Sequence, residues 1–197
     1  MKKGFVLFAE PTVQHDLTFS RSVILIVEQN ENGIVGFIIN KKTDYSTIDL
    51  IPELNINFPI YNGGPVEKEN LYFIHKIPSL IKNSIKIKDN LYWGGNFDLV
   101  VELINENKIK NNEIKFFLGY SGWEKEQLNN EIQDKSWILA KKENLEKLAF
   151  QETISIWKDK LTQTAMVGMR LMETLNINMY SLNKGNLINI KEKLDEY

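Results

Sequence analysis

Cysteine is absent from the 197 residues, which removes thiol catalysis, thiolate metal sites and disulfide bridges together. Histidine occurs only as His15 and His75. His15 stands beside Asp16, and His75 has no His or carboxylate two to four positions on, so no zinc or iron ligand spacing is present. No apolar stretch approaches the ~18 residues of a membrane span; the longest, Val23 to Val27 and Ile34 to Ile39, have the length of strands. After Met1-Lys2-Lys3 the apolar run Phe5 to Ala9 stops at Glu10-Pro11, short of the about 7–15 residues of a signal-peptide core. The expectation is a cytoplasmic protein with no membrane partner and no cofactor.

An excess of one charge is missing as well. Lys and Arg number 24 against 26 Asp and Glu, for a net charge of −2. The lysines are scattered, with short clusters at Lys41-Lys42, Lys82/Lys86/Lys88 and Lys141-Lys142. They read as solvated surface, and argue against a domain built to grip phosphates. A chain of this length buries roughly 70% of its unfolded surface, so residues 1–197 are expected to form one domain.

The first half of the chain reads as strands and turns. Phe5 to Ala9 is one short apolar run; Ser22 to Glu28 and Ile34 to Asn40 are two more, joined through Asn32-Gly33. Asn-Gly between apolar runs predicts a hairpin. Both runs are continuously apolar rather than alternating, which predicts central strands covered on both faces. A short helix is expected from Ser46 or Thr47 to Ile51, and strands at Leu71 to Ile74, Ser84 to Ile87 and Leu91 to Trp93. From Phe97 the period changes to that of a helix through Leu99, Val100, Leu103 and Ile104. Ile114 to Tyr120 is a further strand, Glu124 to Asp134 a helix, and Trp137 to Ala140 a last strand. About 144–197 reads as helical: Leu145 to Phe150, Ile154 to Leu161 and Ala165 to Leu175. Strands first and helices later give an α+β fold.

Several patterns invite chemistry. Gly119-Tyr120-Ser121-Gly122-Trp123 resembles a nucleophile elbow, but Trp123 stands where the sharp turn needs a small residue. Ser121 also needs a base, and His75 and Tyr120 are the nearby suspects. Asn62-Gly63-Gly64-Pro65 could form a nest of backbone N–H groups, yet no phosphate loop is completed. Glu124, Glu126 and Glu131 near a helix start are what the helix dipole favours without any catalytic role. Asn40 ends an apolar strand; its amide either ties off the adjacent turn or is displayed at the strand end.

In order along the chain, these segments resemble the AlgH/YqgE family of bacterial proteins. The resemblance rests on Gly4 to Pro11, Phe19-Ser20-Arg21-Ser22-Val23, Gly36 to Lys41, Gly63-Gly64-Pro65-Val66, and Gly119 to Trp123 followed by Gln127-Leu128, Glu131 and Trp137. Trp157 and Ser181-Leu182-Asn183 fit more loosely. Gln29, Lys42 and Glu126 depart from the residues usual in the family, which are His, Pro and Gly. The resemblance implies an α/β sandwich: a mixed, largely antiparallel sheet with helices packed on it. It implies no established activity; the family's transcriptional-regulator label derives from genetic effects rather than from a DNA-binding motif. Asn40, Gly63, Gly64, Pro65, Gly119, Tyr120, Gly122, Trp123 and Gln127 are the expected site. If their turns meet, they frame a shallow apolar cleft for a peptide or small ligand. The expectation is a non-catalytic regulatory or interaction protein with a protein or peptide partner. A regulator contacting nucleic acid and a hydrolase using Ser121 are the alternatives.

Overall fold

A computed structural model of the chain describes residues 3–11, 16–140, 144–151, 155–163 and 166. The strands are β1 Val6–Ala9, β2 Val23–Asn30, β3 Gly33–Ile38, β4 Lys42–Ser46, β5 Pro59–Asn62, β6 Val66–His75, β7 Ile85–Lys88, β8 Leu91–Trp93, β9 Ile114–Trp123 and β10 Trp137–Leu139. The helices are α1 Thr47–Leu50, α2 Phe97–Asn105, α3 Gln127–Gln133 and α4 Leu145–Phe150. The chain divides into two compact units, Met1–Trp157 and Lys158–Tyr197. Of the second unit, residues 158–163 and 166 are described; 158–163 are helical, and Thr162 Oγ1 donates to the Lys158 carbonyl at 2.9 Å. The expected helix Ala165 to Leu175 lies outside the described residues apart from Met166.

The strands of the first unit join in the order β10-β1-β2-β3-β9-β6-β8-β7, with β4 on β5 and β5 on β9. Every described pair is antiparallel except β5 with β9. The α+β class holds, as does the mixed, largely antiparallel sheet.

Side chains of successive residues leave opposite faces of a strand, and the core divides accordingly. One face gathers Val6, Phe8, Val23, Leu25, Phe37, Ile74 and Phe117 under Leu145 and Leu148 of α4. On the other face, Phe73, Ile114 and Phe116 lie under Val100, Leu103 and Ile104 of α2. Leu7, Ile24, Ile26 and Ile38 of that second face lie with Leu128 of α3. The continuously apolar runs of β2 and β3 are thus explained: both of their faces are buried. No described helix is long and apolar enough to cross a membrane.

Local chemistry sets the element ends. Asn96 caps α2 by accepting from Leu99 N–H at 3.0 Å, and Asn144 caps α4 by accepting from Lys147 N–H at 2.9 Å. At α1 the Asp49 carboxylate reaches back to Ser46 N–H at 2.8 Å. The β2–β3 turn falls one residue before the expected Asn-Gly. Gly33 already pairs with Asn30, and Asn32 N–H donates to the Asn30 side chain at 2.8 Å.

Strand β9 organises the sheet. Its first half pairs with β5, through Ile60↔Phe116 to Asn62↔Leu118. Its last residues pair on the same edge with β3, through Gly36↔Ser121 to Ile34↔Trp123. Gly63 fills the change-over, donating to Leu118 O at 2.8 Å and accepting from Ile38 N–H at 3.0 Å. A Cβ on Gly63 would sit 2.1 Å from Gly119 O, and one on Gly64 (φ +153) 2.3 Å from the Tyr120 carbonyl carbon. Gly64→Ala is therefore expected to cost at least about 3 kcal/mol. Gly94 is also left-handed (φ +65), but a Cβ there would meet nothing within 4 Å. Gly94→Ala should cost only about 1 kcal/mol, so urea denaturation of the two variants separates crowding from backbone strain.

Candidate functional site

The glycine-rich segments do meet. Gly63 and Gly64 pack against Gly119 and Tyr120, and Gly119 (φ +66) closes the crossing against Val66 O and Gly64 O. Ser121 is buried here, and its hydroxyl donates to Gly63 O at 3.1 Å. Its oxygen is thus held in a structural bond rather than presented to a substrate. His75 pairs with Ile114 at the far end of β9. Seven residues of strand separate it from Ser121, roughly 23 Å at about 3.3 Å per residue. His15 lies outside the described residues.

The left-handed residue Gly119 and the bulge opposite it decide which way the aromatic residues point. Between Val66↔Tyr120 and Leu71↔Leu118 the register slips, so β6 carries extra residues there. Phe117 and Tyr120, three apart, consequently share one face. Trp123 belongs to the opposite face with Trp137 and Leu128. Tyr120 and Trp123 therefore do not form one rim.

Trp123 is pinned from α3. Its Nε1–H donates to Glu131 Oε2 at 2.9 Å, and Trp137 Nε1–H donates to the same oxygen at 2.7 Å. Gln127 Nε2–H donates to Glu131 Oε1 at 2.8 Å. Phe19 stacks against Trp123 at 6.2 Å and meets Trp137 edge-on at 5.5 Å. This arrangement fixes α3 to the sheet, with Gln127 as part of the fixing. Asn40 is likewise a brace: its Oδ1 accepts from Val23 N–H at 2.8 Å and its Nδ2–H donates to Arg21 O at 2.9 Å.

On the first face an aromatic strip crosses β3, β9, β6 and β8. Phe37 is fully buried as its floor, stacked on Phe117 at 4.7 Å. Tyr72 and Trp93 lie 5.8 and 6.1 Å from Phe37, and Tyr120 meets Tyr72 edge-on at 5.7 Å. Val35, Val66, Tyr72, Trp93 and Tyr120 are half-buried, whereas Pro65 and Gly122 are exposed. Gly122 pairs with Val35 and leaves the edge of the Tyr120 ring uncovered; a Cβ there would stand 3.2 Å from Tyr120 Cε2. The sequence pointed to Pro65, Tyr120 and Gly122 but missed Tyr72, Trp93 and Val35. Alternation along β6 from Tyr72 to Ile74 was the available signal for Tyr72.

Three further polar groups of the sheet are buried. Lys115 sits under α4, donating to Ile39 O at 2.8 Å and Ala149 O at 2.9 Å, with its ammonium 3.8 Å from the centre of the Tyr61 ring. His75 stacks on Tyr92 at 5.8 Å and accepts from Ile77 N–H at 3.3 Å. Burial pushes its pKa down to about 4. Trp93 Nε1 has no hydrogen-bond partner among the described residues. No group of three or more metal-binding side chains occurs among the described residues.

Glu131→Ala removes the acceptor of two indole N–H groups and is expected to cost about 2–4 kcal/mol, measured by urea denaturation followed through tryptophan fluorescence. His75 binds its proton at lower pH in the folded chain than in the unfolded one. Stability should therefore hold above pH 6.5 and decline as the pH falls toward about 4. Thermal melts across that range should show the slope diminished in His75→Gln.

The AlgH-like family pattern (DUF179) matches residues 6–167. A UPF0301 protein of Cytophaga hutchinsonii is 39% identical over 164 residues, covering 82% of this chain and 88% of its own. A UPF0301 protein of Bacteroides thetaiotaomicron is 38% identical over 161 residues, covering 81% of each. The solution structure of AlgH from Pseudomonas aeruginosa aligns at a TM-score of 0.62 and 23% identity, covering 94% of this chain and 92% of that one. That likeness shows the shared fold. The chain belongs to the AlgH-like family.

Proposed function

We propose that this chain is a non-catalytic regulatory or interaction protein that binds a peptide or small ligand along the aromatic strip. The observation that carries the proposal is the exposed Gly122 beside the half-buried Tyr120 ring. A strand interior ordinarily places a side chain there, and a glycine in a strand often marks a close approach by another group. The apolar floor of Phe37 and Phe117 with aromatic edges above it suits a ligand that is mostly apolar with a few oriented contacts. Further support comes from the hydroxyl of Ser121, which is committed to Gly63 O with no histidine in reach among the described residues.

Gly122→Val tests the proposal without dismantling the fold, because the nearest atom it meets is the edge of a ring that can shift. Wild type and Gly122→Val, both checked by circular dichroism, would be crosslinked in cells and recovered. Mass spectrometry and nucleic-acid sequencing would read the products. A protein or peptide partner enriched with the wild type is expected to fall at least about tenfold with Gly122→Val, the loss of roughly one well-packed contact. Nucleic acid recovered equally with both, and no protein, would instead favour a regulator that contacts nucleic acid.

A further inference from the structure

Glu67 stands at one end of the aromatic strip in a conformation that ordinary side chains avoid. Its φ is +48, a left-handed value that side chains other than glycine rarely adopt. The residue sits in the β6 bulge facing Tyr120, immediately after Val66. Two donors hold its carboxylate: Asn70 Nδ2–H at 2.8 Å and the Tyr72 hydroxyl, both on Oε2. Oε1 accepts no hydrogen bond among the described residues, and the side chain is exposed. The same donors hold the Glu67 carboxyl below the usual carboxylate range, Tyr72 foremost, so its charge persists into mild acid. Tyr72 is in turn pushed up to about 12, mainly by burial and then by Glu67, and remains a donor.

The surroundings share this sign. The bulge carries Glu67 and Glu69 against Lys68, two negative charges to one positive. At the other end of the strip Glu28 pairs across strands with Val35, on the same face. A cation meets complementary charge at either end and aromatic edges between. A long aliphatic stem lies well on such rings while its charged head reaches a carboxylate.

We propose that the strip takes a basic side chain of a partner peptide, with its ammonium or guanidinium on Glu67 Oε1 and its stem along Tyr72 and Tyr120. This deepens the reading of the strip as a ligand site and rests on it. The expected occupant is a short apolar segment punctuated by Lys or Arg, not an acidic one.

Two fluorescein-labelled octapeptides test it, one alternating Leu with Lys and one alternating Leu with Gln. Fluorescence anisotropy would measure both against the full-length wild type, Glu67→Gln, Glu69→Gln and Gly122→Val. The Lys peptide should bind the wild type about fivefold more tightly than the Gln peptide, the upper range of one exposed ion pair. Glu67→Gln should bring the Lys peptide to the level of the Gln peptide and leave the latter unchanged. Glu69→Gln should change neither, and Gly122→Val should weaken both. A Lys preference that survives Glu67→Gln, or one that Glu69→Gln reduces equally, overturns the assignment of the cation to Glu67. In that case, loss of both peptides in Gly122→Val would still uphold the strip as the ligand site. Failure of both peptides to bind the wild type overturns the basic-peptide assignment, and the cellular crosslinking then judges the strip separately.

Discussion

The approach of Gly63 and Gly64 onto the backbone of Gly119 and Tyr120 is the constraint on which the first unit turns. At distances where a Cβ would fall within 2.3 Å of backbone atoms, only glycine allows the chains to cross. That crossing lets β9 give up β5 and take β3 on one edge while β6 accompanies it on the other. Ser121 closes the contact with its hydroxyl on Gly63 O. Without the crossing, β5 could not pass β9, and the hydrophobic clusters on the two faces would lose their shared wall.

Much of this architecture was legible because periodicity reports burial directly. The runs in β1, β2 and β3 and the helical spacing in α2 announce themselves through the faces they hide. Strand β4, Lys-Thr-Asp-Tyr-Ser, had no such pattern: it is largely exposed and takes its conformation from β5. The first residues of β6, Val-Glu-Lys-Glu-Asn, were invisible for the same reason. Trp123 looked like the approach to a helix but ends β9, because Ile34 supplies it with a ladder partner. The glycine segments could be gathered from sequence as one neighbourhood. Their sidedness could not, since one left-handed residue and one bulge reverse the alternation between Phe117 and Tyr120, and Trp123 lay beyond the strand expected from Ile114 to Tyr120.

The polar residues singled out by motif proved to be braces. Asn40 closes the end of β3 onto Arg21 and Val23, and Glu131 holds two indoles and Gln127. Each is a buried or half-buried polar group whose loss would strand a partner, the situation in which hydrogen bonds matter most. The segments that carry the family resemblance therefore specify architecture densely. The aromatic strip lies on what they leave uncovered.

Lys115 has a further consequence for how the unit opens. Its ammonium bonds both Ile39 O, beside the centre of the sheet, and Ala149 O, in the last turn of α4. A six-residue helix would ordinarily fray on its own, well before the strands beneath it. Here its departure removes an acceptor from a buried cation, and the helix is coupled to the strand that holds that cation. Amide protons of α4 should then exchange with those of β9 in one cooperative opening, so the short helix on that face reports on the most central strand.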